Sequence, residues 1–335
     1  MPDMFLSIII PVYNIENYLG HCLDSLIPQV LGKDNIEVLL IDDGSVDASG
    51  NICDAYAKKY ENFIVIHKKN SGLSSARNTG ICSASGKFLM FLDGDDFLCK
   101  NAIDQIVNEL TDFPNTDVLI GRYISYDLSS KEYKECGYHL DKEGIEKNRG
   151  SDLLYILLNG NTYDWYAWLN IVRKNYITSN HFFFKEGVVF EDAIWTPDVL
   201  FSAQNVRYID KPFYVYLQNR NDSITKKFSE KSYIDKWEAL KYVENFCAIH
   251  SVNNDLEKKL WGNLNLIFTS LLFDSWQFSS GKRKQFQNKL NKYKMIYRYS
   301  NRKYQNILYG LWKIIGVKGV SFILYLRAQW VRHRR

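Results

Sequence analysis

Apolar residues in the first 120 positions form five short runs that are separated by segments with helical spacing. The runs are rich in Ile, Leu, Val and Phe, and they occupy residues 5–12, 36–41, 63–67, 88–92 and 117–120. A parallel sheet that is covered on both faces needs such near-continuous apolar strands with helices between them. The pattern therefore predicts an α/β layered fold for this part of the chain.

The segments around these runs carry signals of their own. Asn14 is expected to cap a first helix, and Asp47 is expected to begin a second one. The apolar stripe of the first helix consists of Ile15, Tyr18, Leu19, Cys22, Leu23 and Leu26. Residues 125–150 are polar and lack clear periodicity, so we expect a loop or an insertion there. Helical patterns return at residues 152–158 and from about residue 230 onward.

Composition narrows the class of protein. The 335 residues suggest about two domains, and a content of 46% apolar residues is ample for their cores. The six cysteines lie far apart and form no C-x-x-C pair, so neither a zinc site nor a disulfide framework is indicated. No export signal precedes the first apolar run, and a cytoplasmic location is expected.

Charge is distributed unevenly along the chain. Residues 275–335 hold 15 Lys or Arg and no Asp or Glu, whereas residues 1–274 hold 27 basic and 38 acidic residues. The chain therefore combines an acidic main part with a strongly cationic C-terminal end.

The residues that directly follow the apolar runs are candidates for chemistry, because ligands of such sheets lie beyond the carboxyl ends of the strands. The motif D-G-D-D follows the fourth run and places Asp93, Asp95 and Asp96 within four positions. Like charges at this spacing repel unless a cation lies between them, and carboxylate oxygens suit Mg²⁺ or Mn²⁺. The alternative is a turn with solvated acids. An EF-hand loop is excluded because Phe97 and Leu98 occupy its fifth and sixth positions.

Three further motifs offer ligand groups, and each has a structural alternative. Asp43 in D-D-G-S can accept hydrogen bonds from a nucleobase imide or ribose hydroxyls, or it can form a simple turn. Arg77 in N-S-G-L-S-S-A-R-N can bind a diphosphate, or it can form a structural salt bridge. Glu191 and Asp192 open an apolar helical segment, where one of them can act as a general base or both can simply favour the helix dipole.

Taken in order, five motifs resemble those of bacterial family 2 glycosyltransferases with the GT-A fold. They are P-V-Y-N (11–14), I-D-D-G-S (41–45), N-S-G-L-S-S-A-R-N (70–78), F-L-D-G-D-D (91–96) and F-E-D (190–192). The resemblance covers about residues 5–225. It implies a nucleotide-sugar-binding α/β half over residues 1–122, an acceptor-binding half over 123–228 and a helical, basic C-terminal region over 229–335.

The resemblance also implies roles for residues that bind the donor. Pro11, Tyr13 and Asp43 would hold the uridine of a UDP-sugar, and Arg77 would lie near its diphosphate. Asp93 and Asp95 would form the D-x-D motif that holds Mn²⁺ or Mg²⁺. Asp95 would be the more direct ligand, and Asp93 would also reach ribose or sugar hydroxyls.

Other residues would serve the acceptor and the chemistry. By the resemblance, Asp192 matches the catalytic base, and Glu191 would support the site or contact the acceptor. The aromatic faces of Trp165, Tyr166 and Trp168 offer stacking surfaces for a sugar ring, although such residues are also common in cores. Arg220, in a segment that would close over the donor, is a candidate for the diphosphate or the acceptor.

Together these roles imply an inverting, metal-dependent hexosyltransferase that moves a sugar from a UDP-sugar to a hydroxyl of a saccharide. The product would belong to a capsule, an exopolysaccharide or a lipopolysaccharide. A sugar-phosphate nucleotidyltransferase is an alternative, but its Gly-rich basic loop is missing, since P-V-Y-N follows Ile10. A nucleic-acid-binding module would use the cationic end but would leave the carboxylates without a role.

The cationic end suggests contact with a membrane. Its apolar interval is broken by Gly316, Lys318 and Gly319 and is expected to fall short of the ~20 residues that span a bilayer. Trp312 and Trp330 beside basic residues suit a helix that lies in an anionic interface. A helix packed on the domain with a solvated basic face is the alternative. Peripheral contact of residues 275–335 with the inner face of the cell membrane would match a lipid-linked acceptor.

Overall fold

The computed structural model of the protein describes residues 3–136, 140–159, 163–219, 228–300 and 303–333. The chain forms two compact units. The first comprises Met1–Leu153 and Tyr163–Ser223, and the second comprises Leu154–Thr162 and Ile224–Arg335. The sheet and all motifs described above belong to the first unit, whereas the second unit is helical.

The first unit is built on one mixed sheet. Its strands are β1 (Leu6–Val12), β2 (Ile36–Asp42), β3 (Phe63–His67), β4 (Phe88–Phe91), β5 (Phe97–Leu98), β6 (Val118–Asp127), β7 (Glu132–Cys136), β8 (Asn170–Arg173) and β9 (Val206–Gln218). They lie in the order β3-β2-β1-β4-β8-β6-β9-β5, and β7 pairs with β6. The pairs β3-β2, β2-β1 and β1-β4 are parallel, while β8 is antiparallel to both β4 and β6.

Helices connect the strands of this unit. They are α1 (Glu16–Val30), α2 (Ser49–Lys59), α3 (Leu73–Ser83), α4 (Ala102–Asp112), α5 (Lys142–Lys147), α6 (Gly150–Leu158), α7 (Lys174–Ser179) and α8 (Asp192–Ser202). Every residue of β1, β2 and β4 is buried, as a sheet that is covered on both faces requires. The predicted α/β layered fold is therefore confirmed, and its five apolar runs correspond to β1, β2, β3, β4 and the start of β6.

The starts of α1 and α2 are tied to each other. The prediction that Asn14 caps the first helix is wrong: Ile15 is the N-cap residue, and Asn14 has a positive φ of 52°. The Asn14 side chain instead accepts a hydrogen bond from the Val46 N–H at 2.8 Å. Asp47 accepts from the Ser49 N–H at 2.9 Å with one oxygen and from the Glu16 N–H at 3.1 Å with the other. One carboxylate thus satisfies orphan donors of two helices.

Most of the described residues between 125 and 150 lie in strands or a helix, contrary to the expected loop or insertion. Strand β6 continues to Asp127, turns, and pairs with β7, and α5 follows. The turn is stabilised by Asp127, whose Oδ1 accepts from the N–H groups of Ser129 and Ser130 at 2.8 and 3.2 Å. Periodicity failed here because much of this hairpin is exposed, so it carries little of the alternation of a half-buried strand.

The second unit contains the end of α6, from Leu154, together with α9 (Glu230–Ile249), α10 (Asn254–Asn263), α11 (Asn265–Asp274), α12 (Ser280–Leu290), α13 (Met295–Tyr299) and α14 (Lys303–His333). The prediction of a mostly helical region from about residue 230 is confirmed. Aromatic and aliphatic side chains form its core, among them Leu240, Phe246, Phe268, Leu272 and Trp312. A buried ion pair joins Lys236 to Asp274 at 2.7 Å.

The long helix α14 corrects one expectation about the tail. Among the described residues, Tyr304–Trp330 is long and apolar enough to cross a membrane by length and composition alone. The argument that the apolar interval is too short is therefore wrong. What interrupts α14 is its backbone, since Gly316 has φ 66° and ψ −177°, which are not helical values.

Candidate active site

Three carboxylates of the β4 loop meet at the edge of the sheet. The buried strand β4 ends at Phe91, and ligand atoms of Asp93, Asp95 and Asp96 then lie within 4.8 Å of one another. Gly94 allows the loop to pack tightly on the end of β1. A Cβ atom at this position would lie 2.6 Å from Ile15 Cδ1 and 3.1 Å from the Pro11 carbonyl oxygen.

The three acids have different surroundings. Asp96 is buried and accepts hydrogen bonds from the Tyr214 hydroxyl and the Leu217 N–H, both at 2.7 Å. Burial raises the pKa of Asp96 well above its ordinary value, and the charges of Asp95 and Asp93 raise it further. Asp93 and Asp95 are only partly buried. Asp96 therefore anchors the loop to β9, while the D-x-D pair stays accessible.

Tyr214 of β9 holds this loop in place through its hydroxyl group, and the sequence did not identify Tyr214 as part of the site. Its hydroxyl oxygen also accepts from the Asp93 N–H at 3.2 Å. Its ring stacks on Trp168 with a centroid distance of 3.9 Å, and Tyr166 stacks on the same Trp168 at 4.7 Å. The alternation Y-V-Y of residues 214–216 signals that Tyr214 and Tyr216 share a face of β9, but no sequence signal links Tyr214 to Asp96.

The aromatic cluster corrects two of the predicted acceptor contacts. Trp168 is 2% exposed and stacks on two other rings, so it offers no free face to a sugar. Trp165 is buried, and its carbonyl oxygen accepts from the Thr196 hydroxyl at 2.6 Å. Both residues are core residues, the alternative that the sequence left open. Tyr166 is partly exposed and remains a candidate. Arg220 lies outside the described residues.

Arg77 lies between the D-x-D motif and the start of α8. It is 2% exposed, and it donates from Nη2 to Asp93 Oδ1 at 2.8 Å and from Nη1 to Glu191 Oε1 at 2.5 Å. Burial by itself would lower the pKa of Arg77, but Asp93 and Glu191 outweigh it and raise the pKa above its ordinary value. The structural salt bridge is thus present. Contact of Arg77 with a diphosphate remains a prediction.

Glu191 and Asp192 have different hydrogen-bond partners, because adjacent residues at a helix start point in different directions. Glu191 is the residue before α8, and its side chain is buried against Arg77. Asp192 is the first residue of α8, and its Oδ1 accepts from the Ala193 N–H at 2.8 Å. Burial, followed by the charge of Glu191, raises the pKa of Asp192 to about 7 against the opposing effect of Arg77. A carboxyl group with this pKa exchanges protons near neutrality.

The residues predicted to hold uridine lie at the ends of β1 and β2. Pro11 is buried within β1, and the Tyr13 side chain is 40% exposed. Asp43 accepts from the N–H groups of Ser71 and Gly72 and from Lys68 Nζ at 2.6 Å. Its carboxylate therefore holds the loop before α3 in place, and its contact with a nucleobase remains a prediction.

The donor set at the β4 loop fits a divalent cation. Asp93 and Asp95 offer hard carboxylate oxygens within 4.8 Å of each other, the ligand type that Mg²⁺ and Mn²⁺ prefer. The acids of this cluster outnumber Arg77, so positive charge is needed there before a diphosphate can approach. Sequence reasoning thus identified the acids correctly as one cluster but did not identify their supports, Tyr214 and Trp168.

Comparison with known proteins places this site in a family. Residues 7–169 match the family described as Glycosyl transferase family 2. The chain is 30% identical to EpsH, named as a glycosyltransferase, of Bacillus subtilis (strain 168) over 295 residues, which are 85% of this chain and 81% of EpsH. It is 34% identical to the minor teichoic acid biosynthesis protein GgaA of the same organism, over 68% of this chain and 51% of GgaA. The chain thus spans only about half the length of GgaA.

A solved structure supports the same fold. TarS 1-349 of S. aureus, crystallised in complex with UDP-GlcNAc, superimposes with a TM-score of 0.67 at 20% identity. The match covers 97% of this chain and 92% of the TarS chain. With the mixed sheet, the acidic loop after β4 and the relatives above, these matches show that the chain belongs to glycosyltransferase family 2 and has the GT-A fold.

Proposed function

We propose that the protein is an inverting, metal-dependent hexosyltransferase that moves a sugar from a UDP-sugar to a hydroxyl of a saccharide acceptor. The observation that carries this proposal is the placement of Arg77 between Asp93 and Glu191. It brings the D-x-D pair, which suits a metal and the leaving diphosphate, close to Asp192, which suits a base. Family membership supports glycosyl transfer, and neither the nucleotidyltransferase nor the nucleic-acid alternative has a supporting observation.

The reaction needs a base because an acceptor hydroxyl is not ionised at neutral pH. Asp192, with its pKa raised to about 7, accepts that proton as the hydroxyl oxygen attacks the anomeric carbon. The bond between the anomeric carbon and the diphosphate oxygen breaks as the new bond forms on the opposite face. This single displacement inverts the configuration, and no enzyme nucleophile is required.

The chain's own residues also prepare the departure of the nucleotide. Asp95 and Asp93 would hold the Mn²⁺ or Mg²⁺ ion, which when bound neutralises charge on the diphosphate. Arg77 keeps Asp93 oriented and fixes Glu191 beside the base. Asp96 and Tyr214 hold the loop in place, so the D-x-D pair needs little rearrangement before it binds.

The relatives support the donor and the pathway that we propose. The complex of TarS with UDP-GlcNAc supports a UDP-sugar, with Pro11, Tyr13 and Asp43 as the proposed uridine site. The name of GgaA supports a cell-surface polymer as the product. We therefore place the reaction in the synthesis of a capsule, exopolysaccharide, lipopolysaccharide or related wall polymer, on an acceptor that can be lipid-linked, at the cytoplasmic side of the membrane.

The test is a calorimetric titration with UDP, GDP and dTDP, with and without Mn²⁺. We expect the tightest binding for UDP with Mn²⁺, and loss of the metal effect in Asp95→Ala. Asp34→Ala is the matched control, because Asp34 is an exposed acid of the same unit outside the site. Binding that ignores Mn²⁺ in the unmodified protein would contradict the metal-dependent mechanism. With a transferable donor, NMR coupling constants of the product would report retention or inversion.

A further inference from the structure

Helix α14 is folded back on itself at Gly316. The Arg327 guanidinium lies 5.6 Å from the centre of the Tyr304 ring. In a straight helix, 23 residues would separate their Cα atoms by about 34 Å, far beyond the reach of two side chains. The helix therefore forms a hairpin with two arms, residues 303–315 and residues 317–333. Gly316 is the tip of the hairpin, and the arms lie close together at Tyr304 and Arg327.

The inner faces of both arms are attached to the second unit by buried contacts. Trp312 of the first arm stacks on Phe268 and donates to Asn291 Oδ1 at 2.8 Å. Ser321 of the second arm accepts from Gln287 at 2.8 Å and from Trp276 at 3.0 Å. These contacts fasten the hairpin along its length, so the tail is packed on its own domain.

The outer faces of the arms are apolar as well, even though they do not pack against the other helices of the second unit as the inner faces do. Eight large hydrophobic side chains are exposed on α14: Tyr304, Ile307, Ile314, Ile315, Phe322, Ile323, Leu326 and Trp330. Ile314, next to the tip, is 80% exposed. At 100° per residue, the four on the second arm lie within about 100° of the helix circumference, opposite the buried Val320 and Leu324. The outer face of the second arm is thus apolar, unlike the solvated basic face that was one of the two sequence alternatives.

The charges around this apolar face have one sign. Lys313 and Lys318 are exposed on either side of the tip, and Arg327 is exposed on the second arm. No Asp or Glu occurs anywhere from residue 275 to residue 335. A surface that carries exposed aliphatic and Trp side chains among basic ones fits the boundary between anionic headgroups and acyl chains.

We propose that the outer face and tip of the α14 hairpin dock into the surface of an anionic lipid bilayer, with Ile314, Ile315, Phe322 and Leu326 among the acyl chains. Lys313, Lys318 and Arg327 contact the headgroups. This names the membrane-binding surface that the proposed function requires if its acceptor is lipid-linked, and in that sense it rests on that function. The sequence left two alternatives for this end of the chain, a packed helix and an interfacial helix. In this proposal the inner face of the α14 hairpin is packed and its outer face is interfacial.

Two other arrangements fit the structure less well. A symmetric pairing of two copies through this face would bring Lys and Arg of one copy against those of the other. A membrane-spanning helix would require the arms to straighten, and this would break the buried hydrogen bonds of Trp312 and Ser321. Each arm alone is about 20 to 26 Å long, shorter than the ~30 Å hydrocarbon core.

Co-sedimentation of the full-length protein with vesicles tests the proposal. The vesicles are pure phosphatidylcholine, or phosphatidylcholine with one third phosphatidylglycerol. We expect at least tenfold more bound protein on the anionic vesicles, with binding that weakens as salt rises. The variant Ile314→Ser/Phe322→Ser should lose at least tenfold in binding, and Lys313→Gln/Lys318→Gln should lose most of the preference for anionic vesicles.

A matched control variant is Ile234→Ser/Ile249→Ser, whose residues are 49% and 75% exposed in the same unit but outside α14. It should bind vesicles like the unmodified protein. The proposal would be overturned if Ile234→Ser/Ile249→Ser lost as much vesicle binding as Ile314→Ser/Phe322→Ser. Equal binding of the unmodified protein to neutral and anionic vesicles would also overturn it. So would a dimer that only Ile314→Ser/Phe322→Ser disrupts, or resistance of the membrane-bound protein to extraction at alkaline pH.

The experiment separates this proposal from the proposed function, because vesicle binding needs no donor. UDP binding in the presence of Mn²⁺ is measured on the same variants, and all of them should retain it. If Ile314→Ser/Phe322→Ser loses vesicle binding but still binds UDP, the result supports the docking surface and leaves the proposed catalytic residues untested. Absence of UDP binding in the unmodified protein would refute the proposed function and leave the lipid result standing.

Discussion

The acidic cluster around Arg77, formed by Asp93, Asp95, Asp96, Glu191 and Asp192, and the α14 hairpin differ in how their charged groups are placed. At the cluster, Asp93, Glu191 and Arg77 are linked by short hydrogen bonds, and burial shifts the pKa values of Asp96 and Asp192 upward. On the hairpin, Lys313, Lys318 and Arg327 are exposed. Buried charges are costly unless each is paired, whereas exposed charges cost little and remain available to a partner. Substitutions of charged residues should therefore have large effects on stability or transfer at the cluster and small effects on stability at the surface.

The largest effect is expected for Asp192→Asn. Asparagine keeps the shape but accepts no proton, so the transfer rate should fall by about 10³-fold, within the range for a general base. UDP affinity should stay unchanged, because Asp192 is proposed to act on the acceptor. The measurement is a steady-state transfer assay together with nucleotide titration, and a fall of less than tenfold would remove Asp192 from the role of base.

Asp192→Asn should also raise the melting temperature. The pKa of Asp192 is raised in the folded protein, so ionisation of this group costs stability as pH rises from about 4 through about 7. The variant removes that cost. Thermal unfolding at pH 8 should therefore show the gain, and unfolding at pH 4 should show little difference; an equal gain at both would point to another cause.

Arg77→Met comes next, and it should destabilise the protein by about 3–5 kcal/mol, because Asp93 and Glu191 lose their common partner. Denaturant unfolding measures this change. The double variant Arg77→Met/Glu191→Gln removes one of the stranded charges and should recover part of the loss. Equal destabilisation of the single and double variants would mean that the charge on Glu191 is not what makes the single change costly.

The pH dependence of transfer should follow the ionisation of Asp192. The active form is the carboxylate, so kcat/KM should fall about tenfold for each unit below about pH 7 and level off above it. Rates measured from pH 5 to 8.5 at fixed ionic strength test this. A rate that stays constant down to pH 5 would show that the base titrates lower in the working enzyme.

Tyr214→Phe tests the support of the acidic loop. It removes the hydroxyl that donates to Asp96 and accepts from the Asp93 N–H, while the stacking on Trp168 remains. The loss of a hydrogen bond to a buried acid should cost about 1–3 kcal/mol of stability and weaken Mn²⁺-dependent UDP binding. If unfolding changes but the metal dependence does not, the hydroxyl serves the fold alone.

The smallest effect is expected at an exposed ion pair of the helical unit. Lys282 and Glu230 lie 3.1 Å apart, and both side chains are more than half exposed. Lys282→Gln should leave the melting temperature unchanged within error, because such pairs contribute little. A measurable loss in this variant would show that the contrast between the two regions is weaker than their burial indicates.

The sequence was informative where the residues of one strand or one site are neighbours in the chain. Strands β1, β2, β3 and β4 are near-continuous apolar runs, and the acids after β4 and at the start of α8 are grouped by short motifs. It was less informative where a contact joins distant residues of similar type. Nothing in the sequence distinguishes Trp168, which the Tyr214 ring of β9 covers, from Tyr166, which stays partly exposed.

Backbone reversals were the other limit of sequence reasoning. The chain from 125 to 150 looked irregular because its hairpin is largely exposed, and the Asx turn at Asp127 was not recognised. Gly316 was read as a break in an apolar interval, but its positive φ does more, since it turns one helix into two converging arms. A single glycine in an apolar helix is compatible with a continuous helix and with a reversal, and the packing of the helix determines which of the two forms.

The link between α1 and α2 has a consequence for the donor. Asn14, Asp47 and Ser49 tie residues 14–16 to residues 45–49 before any ligand arrives. Tyr13 and Asp43 stand beside these ties, so the proposed uridine pocket has a rigid mouth whose walls lose little conformational entropy when a nucleotide enters. We expect a nucleotide to enter there without rearrangement of residues 14–16 or 45–49.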